Sequence, residues 1–342
     1  MGTAVVEPGR LTRSRPVLRR RRRPGFSLLV AGSVALAYIA FLRPAQGLGV
    51  RTASTNDPAA RPAASAFGKS GHVRMRFALP NTLVDYPLDR AREIGDLRYE
   101  WIPLFTDSLA EQPKSLANGI LAPERPGFYR LQIRTDSSSR ILDSLSLAVM
   151  VPFSQKTGAS LNGSRIGFYN GERSSRLAVD APAGFVQIDT ADLERPVSDH
   201  LRLADFVTRD AQSTWPRYAA VDPRLLDKIE LVLDEIESWY GGSRRANVAF
   251  DVHSGFRTPL HNRQVARSAR DSRHQFGDAM DLAVDANLDG RVSVADTRLV
   301  ALAVEIVERA HPELAGGMGI YTSSGSTYVH IDARGQRVRW RG

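Results

Sequence analysis

The chain has 342 residues and no cysteine, which excludes disulfide bonds, thiolate zinc sites and a cysteine nucleophile. Its length is sufficient for two or three domains. The net charge of +9 does not indicate nucleic-acid binding, because residues 1–51 carry ten Arg and one Glu, whereas residues 52–342 carry 36 basic and 36 acidic side chains. The body of the protein therefore has no net charge that would attract a phosphate backbone.

Residues 1–42 have the pattern of a membrane anchor. Five consecutive Arg occupy positions 19–23, and 18 uncharged, mostly apolar residues follow at 25–42. At about 1.5 Å per residue this segment is just long enough for a hydrocarbon core about 30 Å thick, and the Arg run favours the cytoplasmic side. We expect a basic cytoplasmic tail over residues 1–24, a transmembrane signal anchor over 25–42 and export of the rest. A cleaved signal peptide is the alternative, although no clear small-x-small cleavage site follows the apolar run.

Residues 43–160 divide into a linker and a β-rich region. Residues 43–71 are rich in Pro, Ala, Ser, Gly and Thr, which predicts a flexible linker. Residues 72–160 contain short alternating or apolar segments at 73–79, 97–102, 128–133 and 144–152, each near turn residues. This pattern predicts a small β-sandwich-like domain, and Pro-Gly-x-Tyr-x-Leu resembles the late strands of immunoglobulin-like modules. No titratable cluster is evident here, which favours a spacer or binding module.

Residues 161–195 are predicted to form a connector, and residues 196–342 a second domain. A helix is expected to begin at Asp222-Pro223, with Asp as the N-cap and Pro at the first helical position. Its apolar residues recur at helical spacing until Gly241-Gly242 ends it. Residues 246–252 then alternate as a strand. The mixture of strands and helices predicts an α+β fold class.

Three segments after this strand carry the residues that indicate chemistry. They are S-G-F-R-T-P at 254–259, S-R-H-Q-F-G-D-A-M-D-L at 272–282, and G-G-M-G-I-Y at 316–321, which leads into Y-V-H-I-D-A-R at 328–334. Two His and one Asp can supply three ligands to a zinc ion that keeps an open position for water. His330 and Asp332 are two residues apart in an apparent strand and so face the same way. Asp332 could therefore accept a proton from a water beside His330.

These motifs, in this order, resemble those of the zinc D-alanyl-D-alanine carboxypeptidases and related murein endopeptidases, whose domain shares its fold with the hedgehog signalling domain. The resemblance covers about residues 196–342 and is densest over 252–334. It implies a hedgehog/DD-peptidase-like zinc domain at the C-terminus. The site residues that it implies are His274, Asp281 and His330 as zinc ligands, Arg257 to steady the scissile carbonyl, and Ser272 and Tyr321 as substrate contacts.

One position departs from the family pattern. Many members carry Glu or Asp three residues before the last His as the general base, and here that residue is Thr327. The subgroup that ends in H-x-D, which this chain resembles most, would use Asp332 instead.

The resemblance thus implies a zinc peptidase that hydrolyses stem-peptide or cross-link bonds of peptidoglycan, as a carboxypeptidase or an endopeptidase. A non-catalytic, metal-containing peptidoglycan-binding or scaffold protein is the second hypothesis, and Thr327 is the feature that favours it. With the predicted anchor, either protein would lie in the bacterial cell envelope, held in the inner membrane with this domain outside the cytoplasm.

A calcium loop is predicted soon after Asp281. Residues 285–296 fit the twelve-residue loop of EF-hand proteins, with Gly290 at position six and Asp in place of Glu at position twelve, as in the dockerin variant. The predicted ligands are Asp285, Asn287, Asp289, Arg291 through its backbone carbonyl, Ser293 and Asp296. We expect a structural calcium ion. A polar turn that caps the following helix without metal is the alternative.

Overall fold

The computed structural model describes residues 67–86, 97–104, 112–136, 138–240, 248–323 and 326–342. The predicted cytoplasmic tail, transmembrane anchor and most of the linker lie outside these residues. Among the described residues, no helix combines the length and apolar character that crossing a membrane requires.

The β-rich region forms two layers of strands. Its strands are β1 (Met75–Ala78), β2 (Leu83–Val84), β3 (Arg98–Pro103), β4 (Lys114–Ser115), β5 (Ile120–Leu121), β6 (Gly127–Arg134), β7 (Ser139–Ile141), β8 (Ser146–Val149) and β9 (Val151–Pro152). One sheet has the order β1-β8-β6-β3-β4, with β7 paired to β6, and β2 pairs with β5. The β2–β5 pair lies over the larger sheet: Trp101 Nε1 donates to the carbonyl oxygen of Leu121 at 2.7 Å, and the Tyr99 hydroxyl accepts the Leu121 N–H at 2.9 Å.

The turn into β6 has an immunoglobulin-like feature. The hydroxyl of Tyr129 donates to the carbonyl oxygen of Arg125 at 2.7 Å, which is the arrangement of a tyrosine corner. Trp101 is fully buried in the neighbouring strand and contacts the Tyr129 ring edge-on. The alternating segments thus form strands of one sheet, and the sandwich-like domain stays a prediction.

The predicted connector is an integral part of the core. Its strands are β10 (Ser160–Leu161), β11 (Ser164–Arg165) and β12 (Gly184–Ile188), and β13 (Arg217–Ala219) follows in the predicted second domain. β12 pairs with β9 on one side and β13 on the other. Phe185, Val186 and Ile188 are buried in a core that runs from the β-rich region into the C-terminal region. This burial joins the two regions without an independent linker between them.

The C-terminal region places two long helices against a five-stranded sheet. Its elements are α1 (Pro223–Tyr240), β14 (Ala249–Ser254), α2 (Pro259–Asn262), β15 (Ala279–Asp285), α3 (Val294–Ala310), β16 (Gly317–Ser323), β17 (Ser326–Asp332) and β18 (Val338–Arg341). The strand order is β14-β15-β17-β16-β18. α1 begins at Pro223, as the Asp-Pro pair predicts, and buries its apolar stripe against α3 and the sheet core.

A buried lysine ties both helices to the end of β17. Lys228 of α1 has no exposed surface, and its ammonium donates to Glu308 Oε1 of α3 and to the backbone oxygen of Asp332, each at 2.7 Å. Burial lowers the pKa of Lys228, while the charge of Glu308 opposes this shift. Because an unpaired buried charge is costly, these bonds hold the end of β17 in one position.

Candidate metal centre

The register of the C-terminal sheet brings two of the candidate ligands together. Asp281 of β15 is paired with His330 of β17, and His330 is paired on its other side with Gly319 of β16. Paired residues of neighbouring strands point to the same face, so the Asp281 and His330 side chains meet. The third ligand candidate, His274, comes from a 3-10 turn at Arg273–Phe276, just before β15.

The three side chains converge on one point. His274 Nε2 lies 3.1 Å from Asp281 Oδ1 and 3.1 Å from His330 Nδ1, and His330 Nδ1 lies 2.8 Å from Asp281 Oδ1. Donor atoms at the corners of a tetrahedron around zinc, with bonds of about 2.0 Å, lie about 3.3 Å apart. All three residues are buried, and they are the single group of this kind within the described part of the chain. The trio therefore has the spacing of a tetrahedral metal site.

The outer hydrogen bonds determine which nitrogen of each imidazole is free. The Gly255 carbonyl oxygen lies 2.6 Å from His274 Nδ1, and Asp332 Oδ2 lies 3.3 Å from His330 Nε2. A carbonyl or carboxylate oxygen only accepts, so these two nitrogens carry protons, and in the neutral imidazoles the lone pairs of His274 Nε2 and His330 Nδ1 point inward. Two lone pairs and a carboxylate oxygen facing one another repel unless a proton or a metal ion lies between them.

The charges of His274 and Asp281 agree with this arrangement, whereas the pKa of His330 is raised, against the effect of burial, by its hydrogen bonds to Asp281 and Asp332. Burial lowers the pKa of His274, which keeps its imidazole neutral. Although burial opposes it, the contacts with His274 and His330 hold the pKa of Asp281 well below its usual range. A neutral imidazole and an ionised carboxylate are the forms that bind metal.

Asp332 lies on the side of His330 away from the trio. Its side chain has no exposed surface and accepts from His330, from Arg334 Nε at 2.9 Å and from the Gly317 N–H at 2.7 Å. These contacts hold the pKa of Asp332 well below its usual range against the effect of burial. The prediction that Asp332 is the general base does not fit this geometry, because its oxygens are occupied and do not face the open side of the trio. The geometry instead favours a positioning residue that orients His330.

Arg257 contacts the other oxygen of the ligand candidate Asp281. Its guanidinium forms an ion pair with Asp281 Oδ2, and its Nε donates to Ser254 Oγ at 2.7 Å. The backbone N–H of Arg257 donates to the His274 carbonyl oxygen at 3.0 Å. Arg257 thus lies beside the trio, and its contact with the scissile carbonyl stays a prediction. Ser272 directly precedes the turn that carries His274 and is partly exposed.

An aromatic wall, formed by Tyr321, Tyr328 and Trp340, borders His330. The Tyr321 and Tyr328 rings are stacked with centroids 4.6 Å apart, and Trp340 Nε1 donates to the Tyr321 hydroxyl at 2.9 Å. The Trp340 ring lies 5.1 Å from the His330 ring. A Cβ at Gly319 would lie 2.3 Å from Trp340, so only glycine lets the Trp340 ring lie this close to β16. This contact explains one glycine of the G-G-M-G motif.

Tyr328 and Arg334 are site residues that the sequence analysis did not assign. Tyr328 lies two residues before His330 on β17, and Arg334 two residues after Asp332. The period of two along a strand was the available signal for Tyr328, because it places Tyr328, His330 and Asp332 on one face. The same alternation places Thr327 on the opposite face from His330.

Residues 186–340 match the family model Peptidase_M15_2, which is described as peptidoglycan L,D-endopeptidase MepK. The predicted resemblance to the zinc murein peptidases is confirmed. Among solved structures, the chain is similar to the crystal structure of Serratia marcescens L-Ala D-Glu endopeptidase ChiX, with 24% sequence identity over 33% of this chain and 80% of that chain, at a TM-score of 0.24. No curated protein sequence matches the chain.

The peptidase-family region, residues 186–340, begins inside the predicted connector and includes β12. All three members of the trio, together with Arg257 and the aromatic wall, lie within it. The match therefore covers the whole candidate site but leaves the β-rich region outside.

The predicted calcium loop has the structure of a polar cap. Asp285 accepts the N–H groups of Asp289 and Gly290 at 3.1 and 2.9 Å. Asp296 accepts the N–H groups of Asn287 and Ser293 at 3.0 and 2.8 Å, and Ser293 caps α3 in return. These contacts match the metal-free alternative, and calcium binding stays a prediction.

Proposed function

We propose that this protein is a zinc-dependent endopeptidase that hydrolyses amide bonds in peptidoglycan peptides. The observation that carries the proposal is the convergence of His274 Nε2, Asp281 Oδ1 and His330 Nδ1, with both imidazole lone pairs directed inward. The similarity of residues 186–340 to a family described as peptidoglycan L,D-endopeptidases supports the substrate class and favours an endopeptidase over a carboxypeptidase.

Each ligand candidate has its own positioning partner. The Gly255 carbonyl orients His274, Asp332 orients His330, and Arg257 holds Asp281. Zinc bound by the trio would supply Lewis-acid chemistry and lower the pKa of water at its open position. Preorganised ligands of this kind need little rearrangement when the reaction begins.

Two other side chains can act on the substrate. The Arg257 guanidinium lies at the edge of the trio with 14% of its side chain exposed, and can donate to the carbonyl oxygen on which negative charge develops. Burial and the nearby charge of Asp281 raise the pKa of Tyr328 to about 12, so its hydroxyl stays protonated and can also donate a hydrogen bond. The stacked Tyr321 and Tyr328 rings offer an apolar surface to the peptide beside the scissile bond.

The second candidate function is a peptidoglycan-binding protein that retains the metal but does not hydrolyse its ligand. Thr327 favours it, because this side chain supplies no carboxylate. Asp332 is not available as a replacement base, since it is fully buried and bonded to Arg334. Hydrolysis and binding must therefore be measured separately.

The deciding experiment is digestion of peptidoglycan fragments by the purified full-length protein, with mass spectrometry of the products. An endopeptidase releases fragments cut within the peptide, in a reaction that a chelator stops and added zinc restores. Release of terminal D-alanine alone would indicate a carboxypeptidase. Sedimentation with peptidoglycan without any products would support the binding protein and refute the proposed enzyme.

We also propose that the protein is anchored in the inner membrane with residues 67–342 outside the cytoplasm. The Arg run at 19–23 and the apolar segment at 25–42 support this orientation. A reporter enzyme that works only outside the cytoplasm should be active when it is fused to the C-terminus of this protein. Activity of a reporter that works only inside the cytoplasm, fused at the same position, would contradict the proposal.

A further inference from the structure

A cavity of about 390 Å³ lies beside the turn that carries His274. The segment around Tyr169 forms one wall, and the chain between Pro259 and Phe276 forms the other. Gln275 and Phe276 line the cavity, and they directly follow His274 in the same 3-10 turn. A volume of this size suits a small ligand or a few atoms of a larger one.

Hydrogen bonds tie the two walls together. The Tyr169 hydroxyl donates to the Gln275 carbonyl oxygen at 3.0 Å, and Arg270 Nη2 donates to Asn170 Oδ1 at 3.1 Å. Gln275 Nε2 donates back to the Arg270 carbonyl oxygen at 2.8 Å. At Gly171, with φ of +79°, a Cβ would lie 2.1 Å from the Ala178 carbonyl oxygen, so the adjoining turn depends on glycine. The cavity is therefore formed before any ligand enters.

The lining has an excess of positive charge. Arg173, Arg263 and Arg270 line it with one acidic residue, Asp271. Within the described residues, none of these three arginines forms an ion pair. The arginines around the trio behave differently, because Arg257 and Arg334 each hold a carboxylate. Among the described residues, the cavity thus presents three guanidinium groups without a carboxylate partner: Arg270 bonds the Asn170 amide, Arg173 lies over the Phe168 ring, and Arg263 is the third.

We propose that this cavity binds a carboxylate-bearing residue of the peptidoglycan stem peptide; the assignment rests on the proposed function. Guanidinium groups bind carboxylates through paired hydrogen bonds. A peptide carries such a carboxylate at its C-terminus and on every acidic residue. The proposal places one bound peptide across the cavity and the trio, because Gln275 of the lining directly follows His274. The concave, partly apolar shape favours a peptide over a flat anionic membrane surface.

The test measures peptide binding and hydrolysis with zinc-loaded full-length protein. The probe for binding is a fluorescent acidic stem tetrapeptide with N-methylated amide bonds, and its carboxamide analogue is the uncharged comparison. The variant combines Arg173→Gln, Arg263→Gln and Arg270→Gln. The matched control is Arg176→Gln, because Arg176 is an exposed arginine of the same loop that does not line the cavity.

We expect the triple variant to bind the acidic peptide on the order of tenfold more weakly, since partly exposed charge pairs contribute modestly one by one. KM for the hydrolysable peptide should rise by a similar factor while kcat stays unchanged. Wild type should bind the carboxamide analogue as weakly as the triple variant binds the acidic peptide. The Arg176→Gln control should behave as wild type.

Equal dissociation constants for wild type and the triple variant would overturn the assignment. So would arginine-dependent binding to phosphatidylglycerol vesicles without any change in peptide binding. If the triple variant hydrolyses the peptide with an unchanged KM, the cavity does not bind substrate, but the proposed enzymatic function stands. If the wild-type protein binds the peptide through these arginines but hydrolyses nothing, the cavity assignment stands and the proposed enzymatic function is refuted.

Discussion

The metal centre and the contact surface of helix α1 both bury histidines against carboxylates, and they arrange them differently. At the second surface, which we call the α1 clasp, His72 lies between Asp199 and Asp234, with its two nitrogens 2.7 and 2.8 Å from their oxygens. His200 lies between two glutamates of α1, at 2.7 Å from Glu230. Each imidazole of the clasp therefore faces a carboxylate from both of its nitrogens.

His330 of the metal centre also lies between two carboxylates, Asp281 and Asp332, and its pKa is raised as well. The difference is that two imidazoles converge on one carboxylate in the metal centre. In the clasp, hydrogen bonds to Asp199 and Asp234 raise the pKa of His72 to about 9, and those to the glutamates raise the pKa of His200 to about 10 despite burial. His72 joins the segment before β1 to α1, and His200 joins the segment after β12 to the same helix. In the metal centre, one nitrogen of each imidazole has an outer acceptor and the other faces the shared point. The convergence of His274 and His330 on Asp281, and not the residue types, distinguishes the metal centre from the clasp.

The strongest test of the comparison removes a ligand candidate. His274→Ala or His330→Ala should lose most of the bound zinc and essentially all hydrolysis, because two protein ligands do not hold zinc tightly. Elemental analysis of the purified protein should give about one zinc per chain for wild type. The matched control is His72→Gln, which should keep that zinc because its nitrogens belong to the clasp. Full zinc in His330→Ala would exclude the trio as the metal site.

Arg257→Ala tests the group nearest to the substrate side of the trio. It should lower kcat on the order of 10²-fold, as loss of an oxyanion donor does, while zinc is retained. Its ion pair with Asp281 adds a second effect, a modest loss of zinc affinity. Arg257→Lys keeps the positive charge, so it should recover more of the zinc affinity than of kcat. An unchanged kcat in Arg257→Ala would show that Arg257 takes no part in the reaction.

Asp332→Asn separates a positioning residue from a general base. If Asp332 orients His330, zinc affinity and activity should each fall by about 10- to 100-fold, and excess zinc should restore part of the activity. A base would show a different result, with zinc affinity unchanged and kcat lost at every zinc concentration. Zinc titration followed by kinetics at saturating metal measures the two quantities separately.

His72→Gln tests the charge of the clasp through the pH dependence of stability. The pKa of His72 is raised on folding from about 6.5 to about 9, so its stabilising effect is complete below about pH 6.5 and is lost as pH rises through 9. We expect the variant to lose about 1–3 kcal/mol of unfolding free energy at pH 6.5 and much less at pH 10. Urea unfolding at both values gives the difference. A loss that is equal at both pH values would mean that His72 acts by packing alone. His311→Gln, at a partly exposed site, is the control.

A third group of carboxylates, in the loop at 285–296, gives the smallest expected effect. We propose that calcium binds there, and it should then raise the melting temperature by a few degrees, as a ligand specific for the folded state does. Asp289→Ala should abolish the shift. An unchanged shift in this variant would place the calcium elsewhere, and no shift in wild type would leave the loop as a helix cap.

Local sequence patterns were enough for several elements of the fold. Asp222-Pro223 and the apolar stripe that follows located the start of α1, since capping and helical periodicity depend on neighbours along the chain. Alternation located the main strands of the β-rich region for the same reason. The connector was not foreseen as part of the core, because Phe185 and its neighbours are buried by partners distant in sequence.

The sequence by itself determined which residues could bind a metal, because His274, Asp281 and His330 stand in motifs whose order and spacing match a known family. Only the tertiary structure decided what their neighbours do. Asp332 could be a base or a positioning residue at the same spacing from His330, and the contacts of Arg334 and Gly317 distinguish the two. The same holds for His72 and His200, whose charge depends on carboxylates of α1 that lie far away along the chain. Proton positions and burial are properties of packed neighbours, and a linear pattern does not contain them.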